Sequence, residues 1–245
     1  MWCGWCGAAQ LRFGWRTRRV RKQSFVCRRF FYRPDKSGIM NDTIQRIDEM
    51  IEERSLLKHQ FYQMWSAGEL TRDALAGYSK EYFQLVKAIP TFMDTVISHA
   101  PAESSELTVN RQEELEHIEP WKRFASHLGV HDLDQYEGLS KTKQAVQDLS
   151  LLMDDYVGGS CAMYALEKEI PAISITKLDG LDKFYNITDS DATAYFRLHA
   201  EADVRHAATW KNIIESTESG SHLDSAQKSL SAQNLLLDSC YEAYC

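Results

Sequence analysis

The sequence contains no long hydrophobic run. No stretch approaches the roughly 18 consecutive apolar residues that a membrane-spanning helix requires, although 44% of the 245 residues are hydrophobic. A chain of this length and composition can bury a sizeable core as one large domain. We therefore expect a protein that is not inserted in a membrane, with one main domain.

Cysteine is scarce and scattered. Of six cysteines, three lie within the first 39 residues, and the others are Cys161, Cys240 and Cys245. A disulfide framework belongs to short secreted chains with closely spaced cysteines. The spacing here excludes that class and fits a reducing cytoplasm, so we predict a cytoplasmic protein.

Acidic residues are almost missing from the beginning of the chain. Residues 1–39 carry ten Lys or Arg and the single acid Asp35, whereas residues 40–245 carry eighteen bases and thirty-four acids. We interpret the two parts, with net charges of +9 and −16, as a basic extension and one acidic domain. An acidic body gains nothing from a phosphate backbone, so nucleic acid is excluded as its partner.

The basic extension, residues 1–39, has three interpretations. An organelle-targeting peptide is also basic and acid-poor, but the serine richness and long amphipathic face of such peptides are missing. Cys3 and Cys6 match a redox C-x-x-C, yet no strand pattern follows them. We favour a disordered extension that ends where Met40 opens the first amphipathic stretch.

Alternating strand patterns are also missing. From Met40 onward, apolar residues recur at intervals of three and four, as in Ile44, Ile47 and Ile51, which is helical spacing. Gly68 is expected to end a helix, and Gly129 another. We predict an all-α bundle of about seven helices.

Further helix boundaries follow from proline, glycine and capping residues. Pro90 predicts a kink or break, and the pair Gly158-Gly159 is expected to restart the chain between two helices. Thr71 is a candidate N-cap for a helix, and residues 188–190 offer N-caps for a long helix that ends near Ile214.

Three residues that could bind a metal ion lie in that long helix. His199, Asp203 and His206 stand at positions i, i+4 and i+7, which places all three on one stripe. Tyr195 and Phe196 flank this stripe, so it is expected to face the core, where polar side chains are costly unless paired. The alternative is a hydrogen-bonded structural network, but H-x-x-x-D-x-x-H favours a site for a divalent metal ion.

Two other segments can supply ligands. Glu114 and His117 form an E-x-x-H pair, and Glu167 lies in SCAMYALEKEIP. In di-iron carboxylate bundles such residues project inward from facing helices. The alternative for each acid is a solvated helix face, since Glu114 belongs to a charge run and Glu167 precedes Lys168. Mixed oxygen and nitrogen ligation would suit iron or manganese, whereas structural zinc prefers cysteine-rich sites.

Four segments carry a resemblance to a known family: HQFYQMWSAGEL, IEPWKRFASHLGV, YALEKEIPAI and YFRLHAEADVRHA. They resemble the CADD-like heme-oxygenase-like di-metal oxidases, within the broader TenA and PqqC superfamily, over about residues 43–240. The resemblance implies a heme-oxygenase-like bundle with two metal ions, iron with iron or iron with manganese. The implied ligands are Glu114, His117, Glu167, His199, Asp203 and His206. The family has a longer insertion between its first Glu and its His, so Glu113 and Glu114 are both candidates here.

The resemblance also implies a reaction. Members form para-aminobenzoate for folate biosynthesis with reduced metal, O2 and an external reductant, and the protein itself is consumed. Tyr62 matches the tyrosine that supplies the ring, and Lys177 matches the lysine that supplies the nitrogen. The alternatives are that Tyr62 is an aromatic core residue with a bonded hydroxyl and that Lys177 is a solvated helix residue. Tyr78, Tyr82, Tyr164 and Tyr195 could relay electrons or line the pocket.

Two other functions remain open. In TenA enzymes, which hydrolyse thiamin-type pyrimidines without a metal, a cysteine nucleophile does the work, and Cys161 is placed for it. A death-domain-binding protein is implied by the resemblance alone, as is a possible homodimer. The inward stripe of His199, Asp203 and His206 favours the oxidase, with O2 and a reductant as its partners.

Overall fold

Helices make up all the regular secondary structure in the part of the chain that the computed structural model describes, residues 36–217 and 222–245, with side chains from residue 43 onward. These ranges contain ten α-helices and two short 3-10 helices. The α-helices are α1 (Lys36–Glu53), α2 (Gln60–Ala67), α3 (Arg72–Val86), α4 (Ile89–Ser98), α5 (Ser105–His127), α6 (Ser140–Leu151), α7 (Tyr156–Glu167), α8 (Ile170–Lys183), α9 (Ala194–Ser216) and α10 (Leu223–Tyr244).

The all-α prediction is confirmed, with more helices than the seven expected. The first predicted helix is interrupted, because a 3-10 turn follows Ser55 and the His59 ring accepts a hydrogen bond from the Phe61 N–H at 3.1 Å, which starts α2. The break at Pro90 is also present. Pro90 lies in the first turn of α4, where its missing N–H costs no helical hydrogen bond.

Glycine and threonine mark several boundaries as predicted. Gly68 ends α2 in the left-handed conformation, with φ of 73°. Thr71 caps α3, since its hydroxyl accepts a hydrogen bond from the Ala74 N–H at 3.0 Å. Gly129 follows the end of α5 with φ of 89°. Each case is local chemistry, because the cap or the positive φ involves only neighbouring residues.

Two predicted boundaries are wrong. Gly158 and Gly159 do not restart the chain but lie inside α7, which Asp155 caps. Gly159 permits close helix packing instead, since a Cβ there would stand 2.6 Å from Cγ2 of Val96 in α4. The long helix α9 begins only at Ala194, because the Asp189 carboxylate closes a separate turn before it.

The basic extension is described only at its end. The backbone of α1 starts at Lys36, so residues 36–39 are helical, whereas the sequence pattern places them in a disordered extension. The rest of the predicted extension, residues 1–35, lies outside the described residues. The division into an extension and a domain therefore stays a prediction.

The helices pack around an aromatic core. Helix α7 lies between α9 and α10, while α5 packs against α3, α4 and α9. Trp65, Trp121 and Trp210 are among the largest side chains that are fully buried. The junction of α5, α7 and α9 is the position of every sequence-predicted metal ligand. Within the described ranges, no helix combines the length and apolar character that crossing a membrane would require.

One buried acid that the sequence analysis did not single out ties several helices together. Glu81 in α3 is fully buried, and its carboxylate accepts hydrogen bonds from the Thr142 hydroxyl at 2.6 Å, the Leu139 N–H at 3.0 Å and the Tyr244 hydroxyl at 3.1 Å. The Tyr136 hydroxyl donates to it as well. Because the carboxylate oxygens are satisfied by protein donors, Glu81 has a structural role.

We expect Glu81→Leu to lower the free energy of unfolding by about 3 kcal/mol, since several buried donors lose their acceptor at once. Urea denaturation followed by circular dichroism measures the change. Glu81→Gln keeps the shape and one acceptor oxygen, so it should lose less. A Leu variant as stable as the parent protein would contradict the structural role.

Candidate metal centre

The polar stripes of α5 and α9 face each other across an antiparallel contact. Ring centroids of Trp121 and Tyr195 lie 4.6 Å apart and those of His117 and His199 lie 4.4 Å apart. Farther along, the Glu114 carboxylate lies 3.1 Å from His206. Residues nearer the start of α5 therefore lie beside residues nearer the end of α9, so the two helices run antiparallel. All six predicted ligands are buried, with exposed fractions of 7% or less: Glu114, His117, Glu167, His199, Asp203 and His206.

The ligand atoms form two groups that share one carboxylate. Glu114, His117 and His199 make one triad, and Glu114, Asp203 and His206 make the other, each with its candidate ligand atoms within 4.8 Å of one another. Oε1 of Glu114 lies 3.4 Å from His117 Nδ1, and Oε2 lies 3.7 Å from His199 Nε2. Both triads therefore share the Glu114 carboxylate.

Glu167 lies at the edge of these triads. Its Oε2 accepts a hydrogen bond from the Trp210 indole N–H at 2.7 Å, while its Oε1 has no partner. It lines a cavity of about 30 Å³ together with Glu114, His199 and Asp203. The structure thus brings five of the six predicted ligands into the triads and places the sixth beside them.

Contacts behind two histidines determine which ring nitrogen faces the centre. His199 Nδ1 lies 2.9 Å from the Tyr195 carbonyl oxygen, which can only accept, so Nδ1 donates and Nε2 is the ring nitrogen that faces Glu114. His206 Nε2 lies 2.7 Å from Glu113, which leaves Nδ1 toward Glu114 and Asp203. Such outer contacts are typical of metal-binding histidines.

The same contacts separate the two candidate glutamates. Glu114 is buried inside both triads. Glu113 lies behind His206 and also contacts the Arg205 guanidinium at 3.2 Å. The structure therefore places Glu114, and not Glu113, in the position of a ligand.

Unpartnered polar atoms show that these residues fit a cation. Among the described residues, His117 Nδ1, Glu167 Oε1, His206 Nδ1 and both carboxylate oxygens of Asp203 are buried without a hydrogen-bond partner. Orphaned buried polar atoms are rare and need a reason. All of these atoms can offer lone pairs, and their mixture of carboxylate oxygen and imidazole nitrogen suits divalent iron or manganese.

The electrostatics agree with a site built for positive charge. Burial raises the pKa of Glu167 well above its usual value, and it raises the pKa of Asp203. Burial alone would raise the pKa of Glu114, but its close contacts with three histidines outweigh burial and hold that pKa well below its usual value. Burial opposes the charge on His206, yet the nearby carboxylates of Asp203 and Glu114 raise its pKa to about 11.

A lysine buried among tyrosines lies next to this centre. Lys177 is 4% exposed and Tyr62 is 2% exposed, so Lys177 is not a solvated helix residue. The Lys177 amine donates a hydrogen bond to the Tyr78 hydroxyl at 2.5 Å, and the hydroxyls of Tyr78 and Tyr62 lie 3.1 Å apart. The amine nitrogen also lies 4.7 Å from the centroid of the Tyr62 ring.

The Lys177 amine has no carboxylate partner among the described residues. Burial lowers the pKa of Lys177 well below its usual value, and burial raises the pKa of Tyr62 and of Tyr78 well above theirs. Burial thus favours the neutral form of the amine and the protonated form of both phenols. A neutral, desolvated amine is a competent nucleophile.

Tyr82 joins the lysine to the candidate metal centre. Its ring centroid lies 4.9 Å from the Lys177 amine and 5.3 Å from the Tyr78 ring, and Tyr82 lines the same cavity as Glu114 and Asp203. Only one aromatic ring therefore separates the two clusters. Tyr78 and Tyr82 were candidates from the sequence for relaying electrons or lining the pocket, but nothing in their spacing indicated that Tyr78 accepts a hydrogen bond from the lysine.

Tyr164 and Tyr195, the other two tyrosines named from the sequence, differ in position. Tyr195 stacks on the His199 ring at 3.9 Å. Tyr164 donates its hydroxyl to Asp48 at 2.7 Å and does not line the cavity beside the triads. Tyr195 is thus adjacent to the candidate ligands, whereas the Tyr164 hydroxyl links α7 to α1.

Cys161 lies inside α7 and is fully buried. Burial raises the pKa of its thiol to about 12, so the nucleophilic thiolate is scarce at neutral pH. The cavity beside the triads does not include Cys161 among its lining residues. The structure therefore offers no support for a cysteine nucleophile here.

Fold and site together define the class: a helical bundle with a buried cluster of carboxylates and histidines between its helices, the arrangement of metal-dependent redox proteins. A family model described as an iron-containing redox enzyme matches residues 77–234, which include all six candidate ligands. The chain belongs to this heme-oxygenase-like family of iron-containing redox enzymes, and it is an oxidoreductase.

Individual relatives agree with this membership. The chain is 33% identical to a 4-aminobenzoate synthase of Nitrosomonas europaea over 226 residues, which cover 82% of this chain and 92% of the relative. A heme-oxygenase-like domain of Shewanella denitrificans matches with a TM-score of 0.67 at 15% identity, over 86% of this chain and 93% of that one. A CADD-like protein of Nostoc punctiforme matches with a TM-score of 0.58 at 16% identity, over 84% and 99%. The predicted heme-oxygenase-like fold and CADD-like resemblance are confirmed.

Because both triads share Glu114, we expect Glu114→Ala to lose both metal ions, whereas His117→Ala should lose only one. Proteins reconstituted anaerobically with Fe²⁺ and then desalted would be compared by inductively coupled plasma mass spectrometry. Glu113→Gln is the matched control. It should keep both ions and bind one of them roughly tenfold more weakly, as for an outer-shell change. Equal metal loss from the two glutamate variants would contradict the placement of Glu114.

Lys177→Met should raise the free energy of unfolding at neutral pH, with a gain that shrinks as the pH rises. Burial lowers the pKa of the amine in the folded protein, whereas the amine of the unfolded chain is charged below about pH 10.4. Unfolding therefore takes up a proton, and the stability of the parent protein should gain about 1.4 kcal/mol per pH unit relative to the variant between about pH 7 and pH 9. Urea denaturation at several pH values measures this difference.

Lys183→Met is the control, since Lys183 is exposed on the same helix and pairs with Asp179. Its difference from the parent protein should not change over this pH range. A constant difference for Lys177→Met as well would show that the amine keeps its proton in the folded state.

Proposed function

We propose that this protein is a metal- and O2-dependent oxidase that forms 4-aminobenzoate, the para-aminobenzoate of folate biosynthesis, and that its own Tyr62 and Lys177 supply the ring and the nitrogen. The observation that carries the proposal is a buried amine held among tyrosines, one ring away from the cluster of ligands. Membership of a family of iron-containing redox enzymes and the name of the Nitrosomonas relative support it.

The product explains why a tyrosine and a lysine are needed together. A tyrosine side chain carries a carbon and a hydroxyl group at opposite ring positions, and 4-aminobenzoate carries a carboxylate and an amino group there. Conversion breaks the Cα–Cβ bond of Tyr62, leaves a glycine at position 62 and oxidises Cβ to the carboxylate. The nitrogen of Lys177 bonds to the ring carbon that loses its hydroxyl as water. The Cε–Nζ bond of Lys177 then breaks, and Cε is left oxidised as an aldehyde. The electrons go to O2, with an external reductant, and the oxygen atoms of the carboxylate come from O2 or water.

Two bound metal ions would supply the activation of O2. The residues around them have distinct roles. Glu114 would hold both ions, while His117 and His199 would complete one site and Asp203 and His206 the other. We assign iron with iron or iron with manganese to these sites, since the ligands are mixed oxygen and nitrogen.

The tyrosines control protons next to the amine. The Tyr78 hydroxyl accepts the Lys177 hydrogen bond and lies within hydrogen-bond distance of the Tyr62 hydroxyl. A proton leaving Tyr62 can therefore pass through the Tyr78 hydroxyl to the amine when the amine is neutral. The indole N–H of Trp65 donates to the Lys177 carbonyl oxygen at 3.2 Å, which holds the backbone of α8 in place. Water is excluded because all of these side chains are buried.

The pyrimidine-hydrolase alternative explains less of the molecule. It depends on Cys161, whose thiol is buried and protonated. It also gives no role to the unpartnered atoms of Asp203 and His206 or to the buried amine of Lys177. The oxidase gives each of these groups a task.

The test is an isotope experiment on the full chain. Protein grown with ring-labelled tyrosine and ¹⁵N-lysine, loaded with Fe²⁺ and supplied with O2 and a reductant, should release doubly labelled 4-aminobenzoate. Mass spectrometry of the spent protein should show loss of the side chain of residue 62. Product without either label would overturn the self-consumption.

Substitutions should separate the tyrosines. Tyr62→Phe is expected to lower the yield of product at least a hundredfold, because the reacting hydroxyl is absent. Tyr241→Phe is the control, since Tyr241 is partly exposed on α10, and its yield should match the parent protein. Undiminished product from Tyr62→Phe would remove Tyr62 as the ring source.

A further inference from the structure

Asn110 in α5 is a buried polar residue with no assigned role. It is 4% exposed, and its side-chain Nδ2 has no hydrogen-bond partner. Within the described ranges, six buried side-chain nitrogen or oxygen atoms lack a partner. Five belong to candidate metal ligands, and the sixth is this amide. The buried amide nitrogen of Asn110 is thus the one atom of this group, among the described residues, for which the metal centre gives no explanation so far.

Helix geometry places Asn110 on the ligand-bearing face of α5. Asn110, Glu114 and His117 stand at i, i+4 and i+7, the same spacing as the three ligands of α9. Residues at this spacing share one stripe of a helix, and four residues correspond to a rise of about 6 Å. The sequence therefore carries two facing stripes of three polar residues, N-x-x-x-E-x-x-H and H-x-x-x-D-x-x-H.

The antiparallel register indicates which end of the site Asn110 occupies. His117 lies beside His199, and Glu114 lies beside His206. One further turn toward the start of α5 corresponds to the level of His206 and Trp210 on α9. Glu167 is held at that level by the Trp210 indole, and its Oε1 is also without a partner. The register thus places Asn110 at the end of the site that holds the second triad.

The chemistry of the carboxamide decides between two orientations. With the nitrogen inward, its N–H groups find no acceptor, even though carboxylate oxygens of Asp203 and Glu167 are themselves unpartnered. With the oxygen inward, the side chain offers a lone pair, as the neighbouring ligands do. The oxygen and nitrogen of an amide exchange places by a simple rotation, and the partners determine the orientation. Divalent cations that accept carboxylate also accept amide oxygen.

We infer that Asn110 is a further ligand of the metal centre. Its side-chain oxygen would bind the ion that Glu114, Asp203 and His206 hold. This inference rests on the metal centre of the proposed function. It adds one neutral oxygen ligand to that ion.

The experiment uses Mn²⁺ as the probe with the full chain under anaerobic conditions. The electron paramagnetic resonance signal of free Mn²⁺ reports how much remains unbound during a titration. The parent protein should bind two ions. Asn110→Leu should weaken one of them by about tenfold or more and leave the other unchanged, as loss of one ligand contact implies. Asn110→Asp should tighten that same site, because a carboxylate adds negative charge at the ligand position.

Gln112→Leu is the matched control, since Gln112 is an exposed amide on the same helix, and it should bind like the parent protein. Thermal unfolding without metal distinguishes a folding defect from a ligand effect. Asn110→Leu removes an unpaired buried amide, so its metal-free protein should be no less stable than the parent.

The outcomes separate this inference from the proposed function. If the parent protein binds two ions and both Asn110→Leu and Asn110→Asp bind as it does, only the role of Asn110 is overturned. If the parent protein binds no Mn²⁺ and no Fe²⁺, the metal centre fails and this inference fails with it. Weakening by Leu together with tightening by Asp supports the ligand, since a merely structural amide would not produce opposite changes.

Discussion

The antiparallel contact between α5 and α9 is the constraint on which the rest of this molecule depends. It buries acids and histidines from both helices against one another, and such groups are costly in a protein interior unless paired. Protein partners satisfy the outer atoms, as in the contacts of His206 with Glu113 and of His199 with the Tyr195 carbonyl. The inner atoms are left for cations. The bundle therefore encloses a cluster of acids and histidines with free lone pairs. Helix α7 adds Glu167 at the edge of this cluster.

The neighbouring cluster around Lys177 has the opposite imbalance of hydrogen-bonding and charged groups. One cluster has too many acceptors, and the other holds a basic group without an anion among the described residues. Both arrangements are costly to stability, and both are typical of functional sites. Tyr82 forms a common wall between them, so an oxidant formed at one cluster would lie next to the amine and phenols of the other. This proximity is what makes a reaction within the protein itself chemically reasonable.

Helix chemistry that depends on near neighbours was predictable. Gly68, Thr71 and Pro90 act where expected, because caps and breaks involve residues within one turn. The pair Gly158-Gly159 was misjudged, since its purpose is the close approach of α4 and not a break in α7. The start of α9 was placed too early, because Asp189 caps a turn that a sequence pattern does not distinguish from a helix start. The buried hydrogen-bond centre at Glu81 was missed because its donors lie on distant segments.

The sequence by itself determined that the chain is helical and that His199, Asp203 and His206 share one face, since helical spacing is a local property. It also paired Glu114 with His117, and the resemblance pointed to Tyr62 and Lys177. Only the tertiary structure decided that Glu114 lies inside both triads while Glu113 lies behind His206, and that Lys177 is buried while Cys161 holds its proton. The physical reason is that burial, proton affinity and ligand geometry depend on how helices distant in sequence meet. A residue's face on its own helix does not specify what stands opposite it.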